Sequence, residues 1–143
     1  MGLNYIVAEL AKGSRGAYRI VDERFIDDDG MKYDFLCEID EYLKARGFEP
    51  LEGGLLLNYC DDYDVYPRVY AKNLNMSNLQ HAEPQYALTR SREMVEAIKE
   101  SPETLGIVHR FENPKGELNP VQLIERMQQA WERGNYLMFV LQL

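Results

Sequence analysis

The C-terminal end of the chain constrains the fold more than any other segment. Asn119 is a residue type that caps helices, Pro120 suits the first helical position, and Gly134 suits the position just past a helix end. The segment Tyr136–Leu143 that follows carries apolar residues on both of its alternating faces. A strand of that kind is covered on both sides, so we expect it at the centre of a sheet.

The two ends of the chain predict two kinds of strand pairing. Leu105–Phe111 reads as a strand, and with the helix Pro120–Arg133 and the final strand it has the length of a right-handed βαβ crossover. Near the N-terminus, Leu3–Leu10 and Ala17–Val21 read as strands on either side of the polar, glycine-containing loop Lys12–Gly16. That arrangement predicts an antiparallel hairpin, so the sheet as a whole is expected to be mixed.

The middle of the chain adds two helices and two strands. Asp28 or Asp29 is a natural cap for the first of these helices, and Gly47 suits a left-handed residue at its end. With them, the chain is predicted to be a single α+β domain of 143 residues, a mixed sheet of about five to six strands with three helices. The segments predicted here are the helices Gly30–Arg46 and Ser91–Glu100, the strands Leu55–Tyr59 and Arg68–Leu74, and a loop over 75–84.

The excess of acids over bases is confined to one stretch of the chain. Asp22–Asp64 holds fourteen acids and four bases, a local net charge of −10, whereas the whole chain carries −8. The rest of the chain therefore carries a small positive charge. A block of this kind repels nucleic acid and attracts a basic partner or cations, so direct binding of nucleic acid is disfavoured.

Two groups within the acidic block are candidates for binding a partner. One is the outer face of the first helix, and the other is an acidic loop that also contains tyrosines, which can anchor an interface while acids pair with Arg or Lys. We expect a non-enzymatic binding protein that occupies a basic surface of another protein, as inhibitors and immunity or anti-defence proteins do. The candidate residues are Asp34, Glu38, Asp40 and Glu41 on the helix and Asp61, Asp62, Tyr63, Asp64 and Tyr66 in the loop.

Neither a metal site nor a cofactor site is predicted. An EF-hand loop needs Gly at its sixth position and Glu at its twelfth; counting from Asp27, Gly30 falls at the fourth, and counting from Asp61 both positions fail. Cys37 and Cys60 show no metal-binding spacing, and no nucleotide-binding glycine pattern is present.

Two alternatives to the binding protein remain open. The first is a small hydrolase-like enzyme with a site near His109 and Asn113, although His109 lies among strand residues where a histidine is more often structural. No nucleophile–base signature accompanies it. The second alternative is a homo-oligomeric structural or assembly component.

The sequence also carries expectations about location. The N-terminal segment lacks the basic region and the long apolar region of a signal peptide. The longest apolar run, Tyr136–Leu141, is far too short to span a bilayer. We therefore expect a soluble cytoplasmic protein with reduced thiols and no membrane contact.

Overall fold

The computed structural model describes residues 4–23, 25–26, 31–60, 68–110 and 116–142. Helices and strands of these residues form the predicted α+β fold. The strands are β1 (Asn4–Lys12), β2 (Ala17–Asp22), β3 (Met31–Lys32), β4 (Leu57–Tyr59), β5 (Arg68–Tyr70), β6 (Leu74–Asn75), β7 (His109–Arg110), β8 (Glu117–Leu118) and β9 (Tyr136–Gln142). The helices are α1 (Tyr33–Ala45), α2 (Leu79–Ala82), α3 (Pro84–Lys99), α4 (Pro102–Leu105) and α5 (Pro120–Glu132), with a 3₁₀ turn η1 (Ala71–Asn73).

The main sheet is mixed and has β9 near its centre. Its strands follow the order β5-β2-β1-β9-β4-β6. The short β3 also pairs with β1, at Asn4 and Tyr5, whereas β2 pairs with the later residues of that strand. β9 runs antiparallel to β1 and parallel to β4. The predicted central position of the last strand is confirmed, as is the N-terminal hairpin of β1 and β2. The hairpin turn is one residue shorter than expected, because Lys12 belongs to β1.

The two faces of the sheet belong to two separate apolar clusters. Leu137 and Phe139 of β9 lie in a cluster with side chains of α1, α3 and α5. Tyr136, Met138 and Val140, which alternate with them, lie in a second cluster on the opposite face. This alternation explains why β9 is apolar at odd and even positions alike.

The sheet is strongly curled around the second cluster. β5 and β6 lie at opposite ends of the strand order, yet only the three residues of η1 separate them along the chain. A flat sheet of six strands would hold its outer strands about 24 Å apart, whereas the chain from Tyr70 to Leu74 reaches at most about 14 Å. The predicted single strand Arg68–Leu74 is therefore wrong: η1 divides it into β5, which pairs with β2, and β6, which pairs with β4.

The first helix begins later than predicted. α1 starts at Tyr33 with Lys32 as its N-cap, because Met31 and Lys32 form the strand β3 beside β1. An aspartate at position 28 or 29 is thus not its cap. The predicted end is confirmed, since Gly47 follows the C-cap Arg46 with a left-handed φ of 84°.

The predicted βαβ unit is wrong at its first strand. Pro102–Leu105 is the helix α4, and within the described part of the predicted strand only His109–Arg110 is a β-strand. β7 pairs with β8 in a separate two-stranded sheet and does not join the main sheet. The helix α5 is confirmed, with Asn119 and Gln122 forming a reciprocal capping box.

The second of the three long helices is longer than predicted. α3 begins at Pro84, where the Glu83 side chain accepts hydrogen bonds from two backbone N–H groups of the first turn. The preceding segment, predicted as loop, contains the single helical turn α2. Leu79 and Ala82 of that turn cover the second apolar cluster.

Candidate binding cleft

Three of the predicted partner-binding acids share one exposed stripe of α1. Asp34, Glu38 and Glu41 are spaced by four and three residues, which places them within about 60° of the helix circumference. All three are exposed. Among the described residues, none of the three side chains makes an ion pair or a hydrogen bond. We call Asp34, Glu38 and Glu41 the acidic stripe.

Asp40 does not belong to this exposed face, contrary to the expectation from the sequence. Its side chain is buried, and its two carboxylate oxygens accept hydrogen bonds from the backbone N–H of Leu51 at 2.7 Å and of Glu52 at 3.2 Å. Burial raises the pKa of Asp40 to about 6, even though both hydrogen bonds act in the opposite direction. Asp40 therefore holds the chain after α1 in place and is not available to a partner.

The loop half of the predicted site lies outside the described residues. Asp61, Asp62, Tyr63, Asp64 and Tyr66 all fall between residues 60 and 68. Whether this group shares a surface with the acidic stripe therefore stays a prediction.

An open cleft of about 640 Å³ runs beside the first turns of α1. One wall comes from the end of β3 and the start of α1, and the other from α4 and the segment that leads into β7. The cleft thus joins two members of the acidic stripe to the histidine of the alternative enzyme hypothesis. Its described lining consists of Lys32, Asp34, Phe35, Glu38, Pro102, Glu103, Gly106, Ile107, Val108, His109 and Arg110.

The cleft combines apolar and acidic groups. The rings of Phe35 and His109 lie 5.6 Å apart, and Val108 leaves 40% of its surface exposed. Asp34 and Glu38 stand one turn apart on the α1 wall, and Glu103 stands on the opposite wall. The nearby cation Arg110 is already paired, because its Nε lies 3.0 Å from Oε1 of Glu117.

His109 occupies the cleft as a largely buried ring. Only 6% of the residue is exposed, and its partly stacked neighbour Phe35 is buried as well. Asn113, named with it in the enzyme hypothesis, lies outside the described residues. The described lining contains no serine, threonine, cysteine or tyrosine that could serve as a nucleophile.

The structure also contains a polar cluster that the sequence did not predict. Glu49 accepts a hydrogen bond from Arg90 Nε at 2.8 Å and a second one from the Tyr86 hydroxyl. His81, which falls within the loop predicted over 75–84, lies on α2 with its ring 5.3 Å from that of Tyr86 and its Nε2 3.8 Å from a Glu49 oxygen. Arg90 also lies over the Phe48 ring at 4.4 Å. The cluster ties α2 and α3 to the segment after α1.

A second carboxylate, that of Glu9, also accepts hydrogen bonds from several side chains. Glu9 of β1 is buried and faces Arg133, whose Nε and Nη2 each lie 2.9 Å from one of its oxygens, while Asn135 donates at 2.8 Å. Burial raises the pKa of Glu9, but the hydrogen bonds from Arg133 and Asn135 and the positive charge outweigh it, so the pKa is lowered. This group fastens the end of α5 to the sheet.

Two kinds of feature are absent from the described part of the chain. No group of three or more His, Cys, Asp or Glu side chains there could hold a metal ion. No helix there has the length and apolar character needed to cross a membrane.

Comparison with protein-family models, with curated proteins and with solved structures finds no match. The functional conclusion therefore depends on the chemistry of the acidic stripe and the cleft.

Proposed function

We propose that this protein is a non-enzymatic binding protein whose acidic stripe docks on a basic surface of a partner protein. The observation that carries the proposal is that Asp34, Glu38 and Glu41 are exposed on one side of α1 and form no ion pair with another described residue. An inhibitor or immunity-type protein of the cytoplasm is the class we infer. The free thiols of Cys37 and Cys60 suit that reducing compartment.

Electrostatics favour this use of the stripe. Asp34 and Glu38 are like charges one turn apart, an arrangement that destabilises a helix by about 0.2–0.5 kcal/mol. A cationic partner would relieve that repulsion and would be steered towards the stripe by the chain's charge of −8. The same charge opposes phosphate groups, so the proposed partner is a protein and not nucleic acid.

A defined cationic probe tests the proposal without knowledge of the partner. Binding of a ten-residue oligo-arginine peptide would be measured by calorimetry at low salt. The triple variant Asp34→Asn/Glu38→Gln/Glu41→Gln is compared with Glu100→Gln/Glu125→Gln/Glu132→Gln, which removes the same charge from exposed positions elsewhere. Three exposed ion pairs at about 0.5 kcal/mol each predict a roughly tenfold weaker Kd for the stripe variant.

The control triple variant decides how that result is read. We expect it to bind within about twofold of the unchanged protein, because its three substitutions lie outside the acidic stripe and change only the net charge. Equal weakening of both variants would show that the peptide responds to overall charge alone, and the proposed docking face would be withdrawn.

A small enzyme is the second candidate, and one observation favours it: His109 lines the cleft together with Asp34, Glu38 and Glu103. In this alternative His109 acts as a general base beside the carboxylates. The test is hydrolysis of a panel of ester, amide and phosphate substrates by the protein and by its His109→Gln variant. Activity that disappears in the variant, while the circular dichroism spectrum and the thermal midpoint are retained, would favour the enzyme.

A further inference from the structure

We propose that the cleft beside α1 receives an arginine side chain of the basic partner. The inference rests on the proposed function and deepens it, since it names the group that is recognised next to the acidic stripe. Its evidence is the cleft itself: an open volume of about 640 Å³ with an apolar part and carboxylates on both walls.

The size and shape of the cleft suit a side chain that enters with its backbone. Ligand pockets in proteins commonly measure about 300–1,000 Å³, so 640 Å³ exceeds what one side chain fills. The remaining volume can hold the peptide segment that carries the side chain. The entry is open to solvent, and the exposed Val108 at 40% offers apolar surface at the cleft.

The lining favours a long cationic side chain over a neutral one. Phe35, Ile107 and Val108 supply surface for an aliphatic stem, as buried stems of arginine and lysine need. Asp34 and Glu38 of α1 and Glu103 of α4 all line the cleft, so a cation bound there has carboxylates from two helices near it. The described lining also holds two cations. Arg110 is held by Glu117, which leaves Lys32 as the one cation there that is unpaired among the described residues, against the three carboxylates.

Arginine fits these groups better than lysine for two reasons. Its planar guanidinium donates through several N–H groups at once and can bond to carboxylates on both walls. It also stacks on aromatic rings and is less strongly hydrated than an ammonium group. Phe35 and His109 line the cleft but are largely buried against each other, so the hydrogen bonds to carboxylates and the weaker hydration carry the preference for arginine.

Three short peptides test the inference on the intact protein. Each is a blocked pentapeptide of alanines with arginine, lysine or citrulline at its centre, and binding is followed by ¹⁵N–¹H chemical shifts. Citrulline keeps the shape of arginine without its charge. We expect the arginine peptide to shift the signals of 32–38 and 103–110, lysine to bind several-fold more weakly, and citrulline to bind more than tenfold more weakly.

Two single substitutions separate the cleft from the stripe. Glu103→Gln removes a carboxylate that lines the cleft only, and Glu41→Gln removes one that belongs to the stripe only. The arginine pentapeptide should lose about threefold or more in affinity with Glu103→Gln and be unchanged with Glu41→Gln. Val108→Ser, at an exposed position, should weaken the same peptide without affecting the fold.

The possible failures are distinguishable. If oligo-arginine binding depends on the stripe but the pentapeptide shifts fall outside the cleft, or citrulline binds as well as arginine, the cleft inference is overturned and the proposed function stands. If oligo-arginine shows no dependence on the stripe, both are overturned.

Discussion

Carboxylates in this protein fall into two groups that differ in what surrounds them. Glu9 and Glu49 are enclosed by donors, each with an arginine at hydrogen-bond distance and at least one further polar partner. Asp34, Glu38 and Glu41 lie exposed on one stripe and make no such contact with the described residues. Every member of both groups is a side-chain carboxylate, so only the surroundings distinguish a structural acid from one available to a partner.

The largest effect is expected where an enclosed acid loses its cation. Arg133→Met leaves the buried Glu9 with Asn135 as its remaining side-chain donor among the described residues. Breaking a buried ion pair from one side commonly costs about 3–5 kcal/mol, and we expect the lower end because Arg133 is half exposed. Urea unfolding measures the loss.

Arg92→Met is the matched control for that substitution. Arg92 is exposed on α3 and forms no described ion pair. In the Arg92→Met variant, the free energy of unfolding of the protein should change by less than about 0.5 kcal/mol. Equal losses in the two variants would mean that Glu9 does not depend on its partner.

Because the pKa of Asp40 is raised, its effect on stability should depend on pH in the opposite direction to that of an ion-paired acid, whose pKa is lowered. The folded pKa of Asp40, about 6, lies above the unfolded value of 3.8, so its contribution to stability is complete below the unfolded value and is lost as pH rises through 6. Asp40→Asn cannot titrate but keeps an acceptor for Leu51 N–H. Relative to the unchanged protein, the variant should gain about 2 kcal/mol between pH 4 and pH 7 in urea unfolding.

The contrary outcome for Asp40 is a constant difference between the two proteins across that range. It would mean that the carboxylate stays ionised in the folded state, with its two backbone hydrogen bonds outweighing burial.

The smallest effects should have opposite signs in the two groups. Glu49→Gln removes the charge that holds Arg90 and should destabilise the protein by about 1 kcal/mol. Glu38→Gln relieves repulsion with Asp34 and should stabilise it by about 0.2–0.5 kcal/mol. Thermal and urea unfolding at low salt measure both. A loss of stability with Glu38→Gln would show that this carboxylate has an internal partner after all.

The sequence predicted correctly those helices and strands that are determined by residues within or next to them. α5 follows from the Asn119 cap and Pro120, and the central β9 from its two apolar faces. The same signal was present at two further places: Glu83 before Pro84 begins α3, and Ser101 before Pro102 begins α4. The predicted elements instead place Pro84 at the end of the loop over 75–84 and Pro102 beyond the helix Ser91–Glu100.

The remaining features depend on contacts between distant parts of the chain. The alternation over Arg68–Leu74 fits one strand, but the chain leaves one sheet edge for the other within it, and only the pairing with β2 and β4 determines that. Asp40 lies just beyond the apolar arc of its helix, and its burial is set by the N–H groups of Leu51 and Glu52. The cleft likewise needs α4 and β7 beside α1, which no local pattern shows.

Salt dependence tests the central claim most directly, because screening acts on the exposed acids and spares the enclosed ones. The measurement is the Kd of oligo-arginine between 0.05 and 0.5 M NaCl for the unchanged protein, the stripe triple variant and its control triple variant. The account predicts a steep weakening with salt for the unchanged protein and the control, and a clearly shallower one for the stripe variant. Identical salt slopes for the stripe and control variants would contradict it.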